Sequence, residues 1–117
     1  MHIGELADRT GLSLRTIRHY DEVGLLPASS RTEGGFRVYT NADCERLLVI
    51  MQMKPLGFSL EEMAELIPVL TAGPGTLSDR DRARLAAFQE KAVHQRAKLA
   101  RNLAQADQLI ARLGELA

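Results

Sequence analysis

The sequence predicts a mainly α protein, with four helices and a small two-stranded hairpin over residues 1–72 and one long helix over residues 76–117. Three observations carry that expectation. Apolar residues recur at helical spacing along most of the chain, a Gly34-Gly35 pair is followed by alternating residues, and nothing after Ser78 interrupts a helix. At 117 residues the chain is long enough for one compact domain with a peripheral element, and too short for two independent cores.

Ile3, Leu6 and Ala7 share one helical face, and Thr10-Gly11-Leu12-Ser13 breaks the pattern. Gly11 accepts the positive φ of a tight turn, and Ser13 is the expected N-cap of a helix from Leu14 to Glu22. Leu14, Ile17 and part of Tyr20 are expected against the first helix, leaving Arg15, Thr16, Arg18 and His19 outward. Two helices joined by a short Gly-containing turn form a helix-turn-helix.

Gly24-Leu25-Leu26-Pro27 closes the second helix, and Ala28 to Glu33 is small and polar. Around Gly34-Gly35 a hairpin is expected, with Phe36 and Val38 on one face and Arg37 and Tyr39 turned outward on the other. Thr40 or Asn41 caps a helix of about fourteen residues that carries Leu47, Leu48, Ile50 and Met51, with Lys54 near its end and Pro55-Leu56-Gly57 as its stop. Ser59 and Glu62 form a capping box for a fourth helix, buried through Met63, Leu66, Ile67 and Leu70.

Thr71 to Thr76 is the expected linker. The last helix starts at Ser78 or Asp79 and is expected to reach about Leu113. Leu99, Leu103, Ala106, Ile110 and Leu113 follow the three-and-four step of a coiled-coil seam, while Leu85, Phe88 and Ala92 make an earlier run. The two runs meet out of phase at Gln95 and Arg96, where a stutter is expected. A helix of about 35 residues spans ~50 Å, more than the N-terminal core covers, so its apolar seam requires a second chain.

Several function classes are disfavoured by the same residues. Cys44 is the lone cysteine and reads as a small buried hydrophobe; His2, His19 and His94 lie on different elements and form no ligand set. No nucleophile–base pair, phosphate loop or carboxylate cluster is present, so neither an enzyme nor a cofactor or metal site is expected. No stretch approaches a membrane span and the first residues lack a signal-peptide pattern, so a cytoplasmic protein is expected. Net charge is zero, and residues 1–70 carry seven basic against ten acidic side chains. Any binding to nucleic acid therefore rests on where the cations sit.

The chain resembles the MerR family of transcriptional regulators. The resemblance is carried, in the family's order, by Ile3-Gly4-Glu5-Leu6-Ala7, Thr10-Gly11-Leu12-Ser13, Arg15 through Pro27, Arg31 through Tyr39, and Leu56-Gly57-Phe58-Ser59-Leu60-Glu61-Glu62. It implies a winged helix-turn-helix followed by an antiparallel coiled-coil dimer helix. It also implies a homodimer on a palindromic promoter operator, with recognition helices in two successive major grooves flanked by wings. Bending and untwisting of the promoter spacer would then present both promoter elements to RNA polymerase, which is reached only indirectly.

Carried over residue by residue, the resemblance makes Arg15, Thr16 and Arg18 recognition-helix contacts and Tyr20 a phosphate contact. His19 stands where the family has tyrosine. Arg37 and Tyr39 become wing contacts, with Arg31 at the wing's base and Lys54 from the third helix, beside a Pro55 that departs from the pattern. The competing reading of Arg15 and Arg18 is pairing with Asp21 or Glu22 on an exposed helix. Any effector is expected at the junction of the two domains or between the paired final helices, and its identity is not written in the sequence. Two other readings are the DNA-binding and dimer portion of a larger ligand-sensing activator, and a coiled-coil protein-interaction module.

Overall fold

A computed structural model of the chain describes residues 1–72 and 74–117. By internal contacts it separates into two compact units, Met1–Thr76 and Leu77–Ala117.

The first unit opens with α1 (Ile3–Thr10) and α2 (Leu14–Glu22). Gly11 ends α1 at φ 74°, a left-handed conformation that a Cβ-bearing residue adopts only with strain, and its N–H closes on Ala7 O. Ser13 then caps α2 by accepting from the Thr16 N–H at 3.1 Å. Leu6 and Ile17 are fully buried where the two helices meet. Leu14 is exposed instead of covered. As the first residue of α2, its side chain tilts back past the helix start, beyond the reach of α1.

The hairpin consists of β1 (Ser30–Arg31) and β2 (Arg37–Val38), antiparallel, with Ser30 opposite Val38 and Arg31 opposite Arg37. Its turn closes through the Gly35 N–H on Thr32 O at 2.9 Å, and Gly35 takes φ 82°. His2 forms an isolated bridge to Val38, and the Tyr39 N–H donates to Met1 O at 2.6 Å, so the N-terminal residues run beside the outgoing strand.

Thr40 caps α3 (Asn41–Met53) in a reciprocal box with Asp43. Lys54 lies on a 3-10 turn that follows (Lys54–Leu56), not on α3 itself. Pro55 lacks the N–H that would continue the α-helical ladder, so the chain tightens there. Ser59 and Glu62 form the expected capping box of α4 (Leu60–Thr71). Met63, Leu66 and Ile67 are buried, but Leu70 is half exposed, and the covered stripe stops one turn before the helix end. α3 packs on both α1 and α4, and Leu47, Ile50 and Met53 fill the space between. Burying each such side chain contributes about 1.5–3 kcal/mol.

The expected linker from Thr71 to Thr76 includes Gly73, which lies outside the described residues. Thr71 is the last residue of α4, and Pro74–Thr76 is a short 3-10 turn. The second unit is α5 (Asp79–Leu116), 38 residues started by a Ser78–Asp81 capping box and continuous past Leu113. Gly114 costs about 1 kcal/mol relative to Ala but does not stop a helix that stays in the right-handed region.

Candidate nucleic-acid interface

α2 presents the cationic side chains that its sequence spacing assigns outward. Arg15, Arg18 and His19 are exposed, and Thr16 is half buried with its hydroxyl 2.9 Å from Ser13 Oγ. Arg15, Thr16, Arg18, His19, Tyr20 and Lys54 line one groove of about 790 Å³, with Phe58 and Met63 supplying apolar wall. Lys54 thus reaches this groove from the turn after α3. Among the described residues Arg15, Arg18 and Lys54 enter no ion pair. Of the two competing partners for Arg15 and Arg18, Asp21 is occupied by the hairpin, and Glu22, which lines the same groove, forms no ion pair with either arginine. Three cations without ion pairs face the groove against the one carboxylate of Glu22, which leaves a local positive surface on a unit whose overall charge is negative.

Asp21 in the last turn of α2 gathers the two hairpin arginines. Its Oδ2 accepts from Arg37 Nε at 2.6 Å and from Arg31 Nη2 at 3.2 Å, while Oδ1 accepts from the Ala28 N–H at 3.0 Å. Arg31 Nη1 also donates to Gly35 O at 3.0 Å. The Asp21 and Arg37 side chains are only 13% and 19% exposed, so this pair is shielded from water in a way that the surface pair Glu5–Arg9 is not. Burial works against the Asp21 charge, but the hydrogen bonds from Arg37 and Ala28 and the positive charges of Arg37 and Arg31 outweigh it and hold its carboxyl below the ordinary value. The same hydrogen bond, from the other side, raises Arg37.

Asp21 was not legible as a site residue, since its partners lie ten and sixteen positions away and only the fold joins them. One signal existed. Arg31 and Arg37 are cross-strand partners in any hairpin centred on Gly34, and like charges placed opposite each other require a counter-charge.

Tyr39 departs from the expectation. It is 1% exposed, not turned outward with Arg37, and its hydroxyl is buried with no hydrogen-bond partner. Strand alternation ends at Val38, where the chain leaves the ladder to pair with Met1 and enter the α3 cap, so the ring drops into the core. Burial, aided by the Asp21 charge, pushes its phenol above the ordinary value. Phe36 departs in the opposite sense and is 70% exposed. It belongs to the turn, where its ring lies over Gly34 so closely that a Cβ at that position would come within 3.1 Å of it. Tyr20 is buried in the core, and only part of it reaches the groove.

On α5 the expected seam positions divide. Phe88 is buried, with the Arg84 guanidinium 4.8 Å from its ring centroid, and Leu85 and Ala92 are half-buried. Leu99, Leu103, Ala106, Ile110 and Leu113 are exposed, as is every residue from Lys98 to Ala117. Val93, Leu109 and Leu116 add further exposed apolar side chains that the seam pattern did not include. Cys44 is half buried, and among the described residues no group of three or more His, Cys, Asp or Glu side chains is placed to hold a metal ion.

Residues 1–70 match the family described as MerR HTH family regulatory protein, and residues 44–116 match MerR, DNA binding. The chain belongs to the MerR family. It is 43% identical over 82 residues to the mercuric resistance operon regulatory protein of Bacillus cereus, covering 70% of this chain and 56% of that protein. Among solved structures it is similar to the N-terminus of MtaN, the Bacillus subtilis multidrug transporter activator, at 31% identity and TM-score 0.60, covering 98% and 95% of the two chains. It is also similar to HiNmlR, a MerR family regulator lacking the sensor domain and solved bound to promoter DNA, at 27% identity and TM-score 0.69, covering 97% and 86%. This MerR chain spans from about a quarter to just over half of the length of the curated relatives it matches. Among the described residues no helix is long and apolar enough to cross a membrane.

Proposed function

We propose that this chain is a DNA-binding transcriptional regulator that acts by binding, not catalysis, as a homodimer on a two-fold operator in promoter DNA. The observation that carries the reading is the groove on α2, where Arg15, Arg18 and Lys54 stand together, none of them ion-paired among the described residues, against the one carboxylate of Glu22. A helix-turn-helix places its second helix in the major groove, and cations on its rim meet the phosphates. Arg15, Thr16, Arg18 and His19 take the recognition face, and Arg31 and Arg37 the wing. Tyr39 supports the wing from beneath and makes no direct contact. That a similar MerR regulator has been solved bound to promoter DNA supports the DNA-binding reading.

Dimerisation through α5 is supported by its uncovered apolar residues. A helix of 38 residues is ~57 Å long, and every residue from Lys98 to its end at Leu116 is exposed in a single chain. Most of a helix's stability in a protein comes from packing of its apolar face, and a second copy of the seam supplies that packing here. Two heads held apart by such a rod reach successive major grooves on one face of the duplex, and deformation of the spacer between them links binding to polymerase access. The protein works in the cytoplasm.

The reading is tested by gel retardation of the DNA upstream of the protein's own gene across a salt series. Five cations per head predict affinity that falls steeply with salt, with a log–log slope approaching about −9 for a dimer if all of them meet phosphates. A salt-independent association, or none at low ionic strength, removes the reading and leaves the coiled-coil interaction module.

A further inference from the structure

Arg31 and Arg37 stand directly opposite each other on a two-stranded ribbon, an arrangement that repels. The carboxylate that relieves the repulsion comes from α2, and Oδ2 of Asp21 takes both. A negative charge at the edge of a phosphate-binding surface opposes binding if charge is all that matters. We propose that Asp21 is a positioning residue for DNA binding, which holds Arg37 through Nε so that its terminal amino groups are presented as a fixed fork to one phosphate. The proposal rests on the DNA-binding reading above.

The geometry supports it in three ways. The guanidinium is planar, so fixing the Nε bond at 2.6 Å fixes the direction of the two terminal nitrogens. Those nitrogens have no protein partner among the described residues, which leaves four N–H donors for a bidentate phosphate contact. The carboxylate itself is held on its other oxygen by the Ala28 N–H, two residues before β1, so helix and wing are registered to each other through one side chain. Arg31 is held as well, by Asp21 and by Gly35 O, so both wing arginines are oriented before DNA arrives.

The test turns on a sign. Asp21→Asn keeps the shape of the side chain and removes one negative charge from each head. Charge alone predicts tighter DNA binding. Positioning predicts weaker binding, by roughly 5- to 20-fold on the gene's own upstream fragment, with the salt slope smaller by about one for each phosphate that a wing arginine no longer meets. Arg37→Ala should give a similar loss, and Asp21→Asn combined with Arg37→Ala should lose less than the sum of the two single losses, the part beyond Arg37→Ala being that of the released Arg31. Arg37→Lys should also lose affinity despite keeping its charge, because an ammonium has no fork to orient. That variant decides the matter if the Asp21 variants melt below the working temperature. Asp21→Asn binding as tightly as wild type or more so, or additive losses in the double variant, overturns the proposal while leaving the DNA-binding reading intact. Wild-type protein that retards no fragment overturns both.

Discussion

The Ser29 hydroxyl donates to Asp43 Oδ2, tying the chain just before β1 to the first turn of α3. The same carboxylate accepts the Thr40 N–H at 2.8 Å and Arg46 Nη1 at 3.1 Å, and its side chain is only 5% exposed. It is thus one half of the α3 capping box, opposite Thr40, and the anchor of the approach to the wing. Asp43→Ala removes the acceptor of the Ser29 hydroxyl and of the Thr40 N–H, on two residues that are themselves exposed, and is expected to destabilise the fold by about 1–2 kcal/mol, the scale of a broken helix cap. Denaturant unfolding of the variant measures it, and a change below about 0.5 kcal/mol contradicts the anchoring role.

Acid should act through the same two carboxylates. Burial opposes ionisation of both Asp21 and Asp43, yet hydrogen bonds and neighbouring arginines hold each below the ordinary value of 3.8. A depressed folded-state value means the stability they contribute is fully present above the unfolded-state value and is lost as pH falls through the folded ones. Stability is therefore expected to be level from about pH 7 to pH 5 and to drop below about pH 4. Asp43→Asn should flatten that drop. Tyr39 has the opposite sign. Its phenol is raised by burial, so stability is present below the ordinary value of 10.0 and falls as pH rises beyond it. Thermal melts across pH check both limbs.

Much of this architecture is legible in the sequence alone, for identifiable reasons. Ser13, Thr40, Ser59 and Ser78 announce helix starts because capping is a local hydrogen bond that sequence spacing specifies. The cluster of Arg15, Arg18 and Lys54 is legible through a family pattern. The burial of Tyr39 and the exposure of Phe36 are not, because period-two alternation does not extend beyond a strand that is only two residues long. Nor is the Asp21 clasp, a contact between elements that no local rule encodes.

Arg18→Ala should lower affinity for the operator by roughly 10- to 100-fold and reduce the salt slope by about one per head, with the melting temperature unchanged. Arg18 is exposed and unpaired, so its removal leaves no stranded partner. Parallel retardation and thermal melts separate the two effects. Unchanged affinity in the folded variant contradicts a role for Arg18 at the DNA.

Leu103→Asp should yield monomers. Leu103 is 64% exposed in the single chain, so the substitution harms the N-terminal unit little, while in a paired seam it buries an unmatched charge. Sedimentation at micromolar concentration reads the outcome, and a variant that stays dimeric contradicts the seam.

Hydroxyl-radical footprinting on the DNA upstream of the protein's own gene bears most directly on the central claim, that two copies joined through α5 set a pair of α2 helices on one face of a duplex. Two protected patches related by a two-fold axis, with centres a whole number of helical turns apart (about 34 Å per turn), are the predicted result. A single unpaired patch, or no protection at low ionic strength, would contradict it.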